Sequence, residues 1–334
     1  MNRTLLKIVL IALLVLGFVG TEIYMFRSSP STDQVEEKII YVRPNSSLKE
    51  ICKALQDEKI ISNATYFNLY VRWKGASTKI KSGELRFYTN AKPKEVLNIL
   101  IKGHPVLYPV TVPEGFNIYQ VADRLSEAQL VDKKKFLDVC ADKEFIENLK
   151  ITGSSVEGYL FPDTYAFSKY LGEKLIIKRM VDRFHEVFTP ELEKKAKQLQ
   201  LSKKEVIVLA SIVEKETGAA FERPLIASVF HNRLKKGMKI QSDPTVIYGM
   251  WERYSGNLTK TDLQERTPYN TYTIYGLPVG PIANPGRDSI KAVLLPAKTD
   301  YLYFVAKNDE SGTHIFSKNL KEHNAAVNKH QKGL

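Results

Sequence analysis

Cysteine is scarce in this sequence. Among 334 residues only Cys52 and Cys140 occur, and neither comes with a partnered histidine, which excludes thiolate chemistry. The two could pair in an oxidising compartment, or both could be buried thiols. Their apolar helical positions favour buried thiols.

The motifs of metal, nucleotide and serine-hydrolase chemistry are absent as well. The six histidines form no His-Glu-x-x-His motif and no close pair, so with two distant cysteines there is no recognisable zinc set. No P-loop, Gly-x-Gly-x-x-Gly fingerprint or Gly-x-Ser-x-Gly elbow occurs. The sequence therefore predicts no metal and no other cofactor.

Acidic residues are fewer than basic ones, 37 against 49, which gives a net charge of +12. Such an excess suits an acidic partner or surface, but the basic residues are scattered and no nucleic-acid-binding motif accompanies them. We therefore predict no nucleic-acid partner. The length and an ordinary content of charged (26%) and hydrophobic (43%) residues indicate two globular units with accessory segments.

One long apolar run is present, near the N-terminus. Arg3 and Lys7 precede a stretch from Ile8 to Phe26 that is long enough to cross a hydrocarbon core as a helix. A cleavable signal peptide is the alternative, but no small-x-small cleavage pattern follows the run. The sequence predicts a cytoplasmic tail (1–7), one transmembrane helix (8–26), a polar linker (27–38) and about 300 residues outside the cytoplasm.

A weak internal repeat follows the linker. Residues 40–61 and 110–131 each read as a strand, a Pro-containing turn and an amphipathic helix. The matching apolar positions are Leu48, Ile51, Leu55 and Ile60 in the first copy and Ile118, Val121, Leu125 and Leu130 in the second. The pattern resembles LysM-like modules, which bind N-acetyl sugars of cell-wall glycans, and a packing scaffold is the alternative. We expect a LysM-like region over 39–150 and a second domain over 151–334.

The segment EGYLFPDTYAF, Glu157 to Phe167, is rich in aromatic residues. Aromatic rings can stack on sugar faces because they combine an apolar face with a polar rim. Tyr159 is therefore a candidate substrate-binding residue. The alternative is a buried strand whose rings belong to the core.

The stretch LASIVEKETG ends an apolar helix in two glutamates. Ser202 and Glu205 form a capping box and Gly218 is a good C-terminal cap, which predicts a helix from about Lys203 to Thr217. Glu216 continues the apolar stripe of this helix, whereas Glu214 points to a flank near solvent.

An inward carboxyl at a helix C-terminus has a raised pKa, since burial and the negative end of the helix dipole both disfavour the anion. A general acid needs such a pKa to hold its proton near neutral pH. A glutamate satisfied by a structural partner such as an arginine is the alternative interpretation.

Polar groups in two further segments could bind sugar. QSDPT contains Gln241 and Ser242, and YNTY contains Asn270 and Tyr272; we predict all four as substrate-binding residues. Asp243 precedes a proline, so we predict a helix N-cap there.

Several long motifs carry a family resemblance. They are LASIVEKET, ERPLIASVFHNRLKKGMKIQSDPTVIYG, YNTYTIYGLPVGPIANPG and PAKTDYLYFVAKNDESGTHIFSKNLKEHNAAV, in this order. Together they resemble the YceG-like family of endolytic murein transglycosylases (MltG type), and the resemblance spans nearly the whole chain.

The resemblance implies a lytic transglycosylase. Such an enzyme cuts the bond between N-acetylmuramic acid and N-acetylglucosamine within nascent peptidoglycan strands, leaves a 1,6-anhydromuramoyl end and so terminates glycan elongation. The catalytic acid of the family motif is the second glutamate of EKE, here Glu216. The implied setting is the bacterial cytoplasmic membrane, with the catalytic domain outside and contacts to peptidoglycan synthases (penicillin-binding proteins).

Two alternatives remain: a lysozyme-like hydrolase that uses Asp243 as a second carboxylate, and a non-catalytic, membrane-anchored glycan-binding protein that recruits wall enzymes. The expected fold is α+β, with a lysozyme-like cleft that has the helix of Glu216 on one wall and a small sheet from the C-terminal strands on another.

Overall fold

The computed structural model describes residues 3–331. It is a helix-rich α+β protein, as predicted, and its described strands form small two-stranded sheets. The chain divides into two compact units: residues up to Tyr108 with Ala166–Tyr170, and Pro109–Tyr165 with the residues from Leu171 onwards. This division falls earlier in the chain than the predicted boundary after residue 150. Residues 1 and 2 of the predicted tail lie outside the described residues.

The first unit alternates helices and strands. Its elements are α1 (Arg3–Phe26), β1 (Glu37–Val42), α2 (Leu48–Asp57), α3 (Ala64–Trp73), β2 (Gly83–Tyr88) and α4 (Pro93–Lys102). β1 and β2 pair antiparallel, with Ile40 opposite Leu85. Both of these side chains are buried, so one face of the small sheet covers the core of this unit.

α2 shows how the first repeat folds. It begins at a capping box in which the hydroxyl of Ser47 accepts from the backbone of Glu50 and the Glu50 carboxylate accepts from the backbone of Ser47, so two free N–H groups are satisfied. Ile51 and Leu55 are buried. The predicted order of strand, turn and helix is present.

α1 covers the predicted transmembrane span. Its C-terminal end packs into the first unit, where the ring of Phe26 meets that of Tyr66 edge to face with centroids 5.9 Å apart. Earlier apolar side chains are exposed, among them Ile8, Leu10 and Phe18. Judged by length and hydropathy, no helix within residues 3–331 qualifies as a membrane span.

The second unit carries most of the helices. Its elements are most of β3 (Tyr108–Thr111), α5 (Ile118–Glu127), α6 (Lys133–Cys140), α7 (Lys143–Asn148), the first half of β4 (Thr164–Phe167), α8 (Glu173–Val187), α9 (Pro190–Gln198), α10 (Lys203–Glu216), α11 (Arg223–Lys235), α12 (Asp243–Gly249), α13 (Lys260–Gln264), α14 (Arg287–Leu294), β5 (Tyr303–Ala306), β6 (His314–Ser317) and α15 (Leu320–Gln331). β3 pairs with β4, and β5 pairs with β6.

The second repeat starts in the same way as the first. β3 leads through a turn into α5, which begins at a capping box of Asn117 and Gln120. Val121 and Leu125, the counterparts of Ile51 and Leu55, are fully buried. The repeat therefore places equivalent apolar residues in the cores of two different units.

The cysteines are buried thiols. Cys52 lies in α2 of the first unit and Cys140 ends α6 of the second, and both are free. Burial raises the pKa of Cys52 to about 11, so the thiolate is disfavoured at neutral pH. The preference for buried thiols over a disulfide is confirmed.

The middle of α10 is enclosed by other helices of the second unit. Every side chain from Val206 to Val213 is buried, and the helix packs against α14, α11, α12 and α9. The loop before α14 is tied to it, because the backbone of Ile282 donates to the hydroxyl of Ser211 across 3.0 Å. This enclosure fixes where the C-terminal end of α10 points.

Gly158 lets another chain segment approach α10 closely. Its φ of +85° is in the left-handed region, and a Cβ placed there would lie 2.6 Å from Pro281 and 2.8 Å from Ile207. Only glycine meets both demands without strain. The aromatic segment that follows Glu157 is thereby held against the helix that ends in Glu216.

Candidate active site

Glu216 is the last residue of α10 and opens onto a cavity of about 500 Å³. The wall of the cavity is built from α10, α11, the turn before α12, Tyr272, β5, β6 and α15. The inward orientation that periodicity predicted for Glu216 is confirmed.

The two ends of α10 were predicted unequally well. The capping box of Ser202 and Glu205 forms as expected. The helix then ends one residue early, since Thr217 has extended angles (φ −146°, ψ 137°). Gly218 is not in the left-handed region, so the prediction of a glycine C-cap was wrong. The chain leaves this helix through an extended residue instead of a left-handed one.

A short hydrogen bond holds the carboxyl of Glu216. The hydroxyl of Ser242 donates to its Oε1 across 2.5 Å. Burial raises the pKa of Glu216 to about 7, with a smaller upward contribution from the charge of Asp243, while the Ser242 hydrogen bond and Arg233 act in the opposite direction. The group can therefore carry a proton at neutral pH and release it without a large change in conditions.

Glu214 has a different role. Its side chain is 5% exposed and its Oε1 accepts from Arg223 across 3.1 Å, while its Oε2 accepts from the backbone of Gly286 across 2.8 Å. The predicted solvent-exposed flank is therefore wrong for Glu214. A distant loop covers that side of the helix, and Glu214 has an arginine partner, Arg223, of the kind that was the alternative interpretation for Glu216.

Asp243 does not cap α12. Ser242 is the N-cap residue and makes no side-chain capping bond, and Asp243 is the first residue of the helix. The carboxylate of Asp243 accepts instead from the hydroxyl of Tyr272 across 2.6 Å. Both residues line the cavity. The proline that follows Asp243 misled the prediction, because the tyrosine that binds this carboxylate comes from elsewhere in the chain.

The turn that carries Gln241 and Ser242 is held by Thr271. The backbone of Gln241 donates to the Thr271 carbonyl across 3.2 Å, and the backbone of Ser242 donates to the Thr271 hydroxyl across 3.0 Å. Gln241 adopts a φ of 53° and lines the cavity. Ser242 is buried, and its hydroxyl binds the carboxyl of Glu216 instead of facing the open cavity.

Two predicted substrate-binding residues are used within the protein. Asn270 is fully buried, and its amide donates to the Glu265 carbonyl across 2.7 Å while its oxygen accepts from the backbone of Tyr272. Tyr159 is 3% exposed and packs edge to face against Phe184. Neither side chain reaches the cavity; Asn270 positions Tyr272, and Tyr159 belongs to the core.

The small sheet predicted from the C-terminal strands lines the cavity as β5 and β6, but sequence reasoning missed Arg233 and Tyr303. Arg233 is buried and donates to the carbonyls of Leu302 (2.7 Å) and Ile240 (2.6 Å), so it joins α11 to β5 and to the turn before α12. Tyr303 lies with its ring over the same guanidinium, 5.2 Å away. The neighbours of Arg233 in α11 include His231, Asn232 and Lys235, so no local sequence signal distinguishes it.

Known proteins resemble this chain over most of its length. Residues 40–329 match the model of the YceG-like family. The endolytic murein transglycosylase of Bacillus subtilis (strain 168) is 35% identical over 310 residues, covering 87% of this chain and 84% of that protein. The protein of the same name from Streptococcus pneumoniae serotype 2 (strain D39 / NCTC 7466) is 28% identical over 346 residues, covering 94% of this chain and 62% of that protein.

A solved structure agrees with these matches. The 2.6 Å crystal structure of the yceG-like protein lmo1499 from Listeria monocytogenes has 34% sequence identity and a TM-score of 0.60, covering 87% of this chain and 99% of that chain. The family resemblance noted from the EKE, SDPT and YNTY motifs is thereby confirmed: the chain belongs to the YceG-like family.

Proposed function

We propose that this protein is an endolytic murein transglycosylase. It cleaves the bond between N-acetylmuramic acid and N-acetylglucosamine within a peptidoglycan strand and leaves a 1,6-anhydromuramoyl end. The observation that carries the proposal is the carboxyl of Glu216, held by Ser242 in an open cavity with a pKa raised to about 7. The name borne by the relatives from Bacillus and Streptococcus supports it.

In the first step, protonated Glu216 donates its proton to the glycosidic oxygen and the bond to the sugar breaks. Because Ser242 donates to Oε1, the proton sits on Oε2, which is left free to face the substrate. The positive charge that develops on the sugar is relieved by the acetamido group of the substrate. Positioned proton donation of this kind contributes about 10² to 10⁴ in rate.

In the second step, the Glu216 carboxylate removes the proton from the C6 hydroxyl of the muramic acid, whose oxygen closes the anhydro ring. One carboxyl then serves both steps, unlike the paired carboxylates of most glycoside hydrolases. Asp243 is the other carboxylate among the described lining residues. Its hydrogen bond to Tyr272 supports a role in shaping the cavity, where Gln241 and Tyr272 contact the sugar.

Product analysis tests this function. Glycan strands treated with the full chain should yield fragments one water lighter than reducing ends, as measured by mass spectrometry. The Glu216→Gln variant should lose at least about 10²-fold in rate, while Glu147→Gln, on an exposed face of α7, should not change. Reducing-end products would identify the hydrolase, and uncut strands that stay bound would identify the non-catalytic recruiter.

The location at the membrane is part of the proposal. The apolar run from Ile8 to Phe26 and the exposed side chains of α1 support a single-pass anchor with the N-terminus in the cytoplasm. From this position the enzyme acts on nascent strands, contacts peptidoglycan synthases and terminates glycan elongation. Full-length protein should need detergent for extraction from membranes, whereas residues 39–334 should be soluble; full-length protein in the soluble fraction would contradict the anchor.

The first unit is proposed to bind glycan. Its order of strand, two helices and strand, with β1 antiparallel to β2, supports a LysM-like module. We expect N-acetylglucosamine oligomers to bind the Glu216→Gln protein at two separable sites. A single site, abolished by substitutions at the Glu216 cavity, would restrict binding to the second unit.

A further inference from the structure

His314 and Glu222 form an imidazole–carboxylate pair beside Glu216. The Nδ1 of His314 lies 2.7 Å from Glu222 Oε2, and the backbone of His314 donates to Oε1 of the same carboxylate across 2.9 Å. The two side chains are 10% and 4% exposed. Both carboxylate oxygens of the buried Glu222 thus bind His314, and they fix the orientation of its imidazole ring.

This pairing also sets the tautomer of His314. A carboxylate at Nδ1 holds the ring proton there, which leaves a lone pair on Nε2. No residue within 3–331 hydrogen-bonds to that Nε2, and His314 lines the same cavity as Glu216. The ring is kept in place from one side by Phe304, edge to face with centroids 5.4 Å apart.

Among the other described histidines of the second unit, His323 also lines the cavity, but its Nδ1 is buried without a hydrogen-bond partner and its ring stacks on Tyr303. Two others bind backbone carbonyls through Nε2. The Nε2 of His231 lies 2.9 Å from the Val293 carbonyl, and that of His185 lies 3.2 Å from the Leu149 carbonyl. These rings connect backbone segments. His314 differs because a carboxylate orients it and its remaining acceptor is presented to an open cavity.

The free acceptor defines the partner chemically. The cavity lining also carries hydrogen-bond donors, among them the hydroxyl of Tyr272, which is bound to Asp243, and the guanidinium of Arg233, which is bound to backbone carbonyls. None of the described donors is bonded to Nε2 of His314. A glycan that enters the cavity displaces water from this acceptor and has to supply a donor in its place. Sugar hydroxyls and acetamido N–H groups are donors of this kind.

We propose that His314 is a substrate-contacting residue whose Nε2 accepts a hydrogen bond from a hydroxyl or acetamido N–H of the glycan, and that Glu222 is its positioning residue. The proposal rests on the proposed function of the Glu216 cavity. It adds a second point of attachment, supplied by β6, that sets how the sugar presents its glycosidic oxygen.

The His314→Asn variant separates this role from a structural one. The amide nitrogen of asparagine occupies the place of Nδ1 and can still donate to Glu222, but no atom replaces Nε2. We expect kcat/KM for strand cleavage to fall about tenfold, with the thermal midpoint unchanged. His314→Gln places an amide near the Nε2 position and should recover part of the loss. Wild-type kcat/KM in His314→Asn would overturn the proposal.

Nuclear magnetic resonance gives a measurement that does not depend on a His314 variant. In the Glu216→Gln protein with ¹⁵N-labelled histidine, added glycan tetrasaccharide should shift the Nε2 signal of His314 and leave that of His231 in place. Glu222→Gln should raise the fraction of His314 that carries its proton on Nε2, and so reduce the shift of that signal on glycan addition. An unshifted His314 signal at saturating glycan would overturn the proposal.

The two proposals fail in different ways. If wild-type protein makes anhydro-ended products and the His314 results are negative, only the contact from His314 is wrong. If wild-type protein makes no anhydro-ended products, the proposed function itself fails, and the inference about His314 fails with it.

Discussion

The hydroxyl of Ser242 donates to Glu216 Oε1 across 2.5 Å and so joins the start of α12 to the end of α10. The backbone of Ser242 is held by Thr271. The position of Ser242 is therefore fixed independently of Glu216, and its hydrogen bond restrains the Glu216 carboxyl. The same bond lowers the pKa of Glu216 while burial raises it, to about 7. Orientation and proton affinity, the two requirements of a general acid, therefore depend on one neighbour.

Removing that neighbour should change the pH dependence of the reaction. In Ser242→Ala the bond that favours the carboxylate is lost, so the pKa of Glu216 rises above about 7. The acid form then persists to higher pH, and the alkaline limb of the kcat/KM profile should move upward. At pH 7 we expect a loss of about tenfold from poorer orientation of the carboxyl. Rates of anhydro-product formation between pH 5 and 9 provide the measurement.

Ser154→Ala, at an exposed position, is the matched control and should reproduce the wild-type profile. An alkaline limb that stays in place in Ser242→Ala would mean that Glu216 is not the group whose protonation limits the rate.

The raised pKa of Glu216 also has a consequence for stability. The folded protein keeps a proton on Glu216 up to about pH 7, whereas the ordinary value is 4.5. The resulting stabilisation is complete below pH 4.5 and is lost as the pH rises through 7. Glutamine does not titrate. From pH 5 to 8, wild type should therefore lose stability relative to Glu216→Gln, by at most about 1.4 kcal/mol per pH unit.

Urea unfolding of both proteins at pH 5 and pH 8 measures this difference. Glu157, a second buried carboxyl whose pKa burial raises to about 7, is present in both proteins, so its contribution cancels. A free-energy difference that is equal at the two pH values would contradict the assigned protonation of Glu216.

The sequence predicts those features that depend on a single element. The capping box of α10, the buried positions of the two repeats and the inward direction of Glu216 all follow from spacing along one helix. Periodicity could not predict the surroundings of Glu214, because Gly286, which binds it, is supplied by a loop far along the chain.

Competition between partners explains the remaining errors. Asp243 has the local signature of a cap, but Tyr272 offers a hydroxyl across 2.6 Å. Tyr159 has the aromatic side chain of a sugar-stacking residue, but it packs in the core beside Phe184. Local propensity suggests what a side chain can do, and only the tertiary structure determines which partner it reaches.

The buried pair of Glu214 and Arg223 should be important for stability. Truncation in Glu214→Ala leaves the guanidinium without its nearest carboxylate and the backbone of Gly286 without an acceptor. We expect a loss of about 3 kcal/mol in the free energy of unfolding. Urea denaturation checks this value against Glu147→Ala on the surface, which should change by about 0.5 kcal/mol or less.

The folded fraction of Glu214→Ala should still form anhydro-ended products. A Glu214→Ala protein that has wild-type stability but forms no anhydro-ended products would mean that Glu214, and not Glu216, is the catalytic acid.

Substitution by alanine should destabilise the protein at Gly158 and leave its stability nearly unchanged at Gly218. At Gly158 a Cβ would lie 2.6 Å from Pro281 and the backbone is left-handed, whereas at Gly218 no atom lies within 4 Å of the new Cβ. Strain at such a backbone position costs on the order of 1–3 kcal/mol, and overpacking costs about as much again. Gly158→Ala should therefore lower the free energy of unfolding by at least about 2 kcal/mol, while Gly218→Ala stays within about 0.5 kcal/mol of wild type.

Because Gly158 holds the segment after Glu157 against α10, its variant should also lose activity. Equal stability of the two variants would mean that this close approach to α10 is not needed to position the acid.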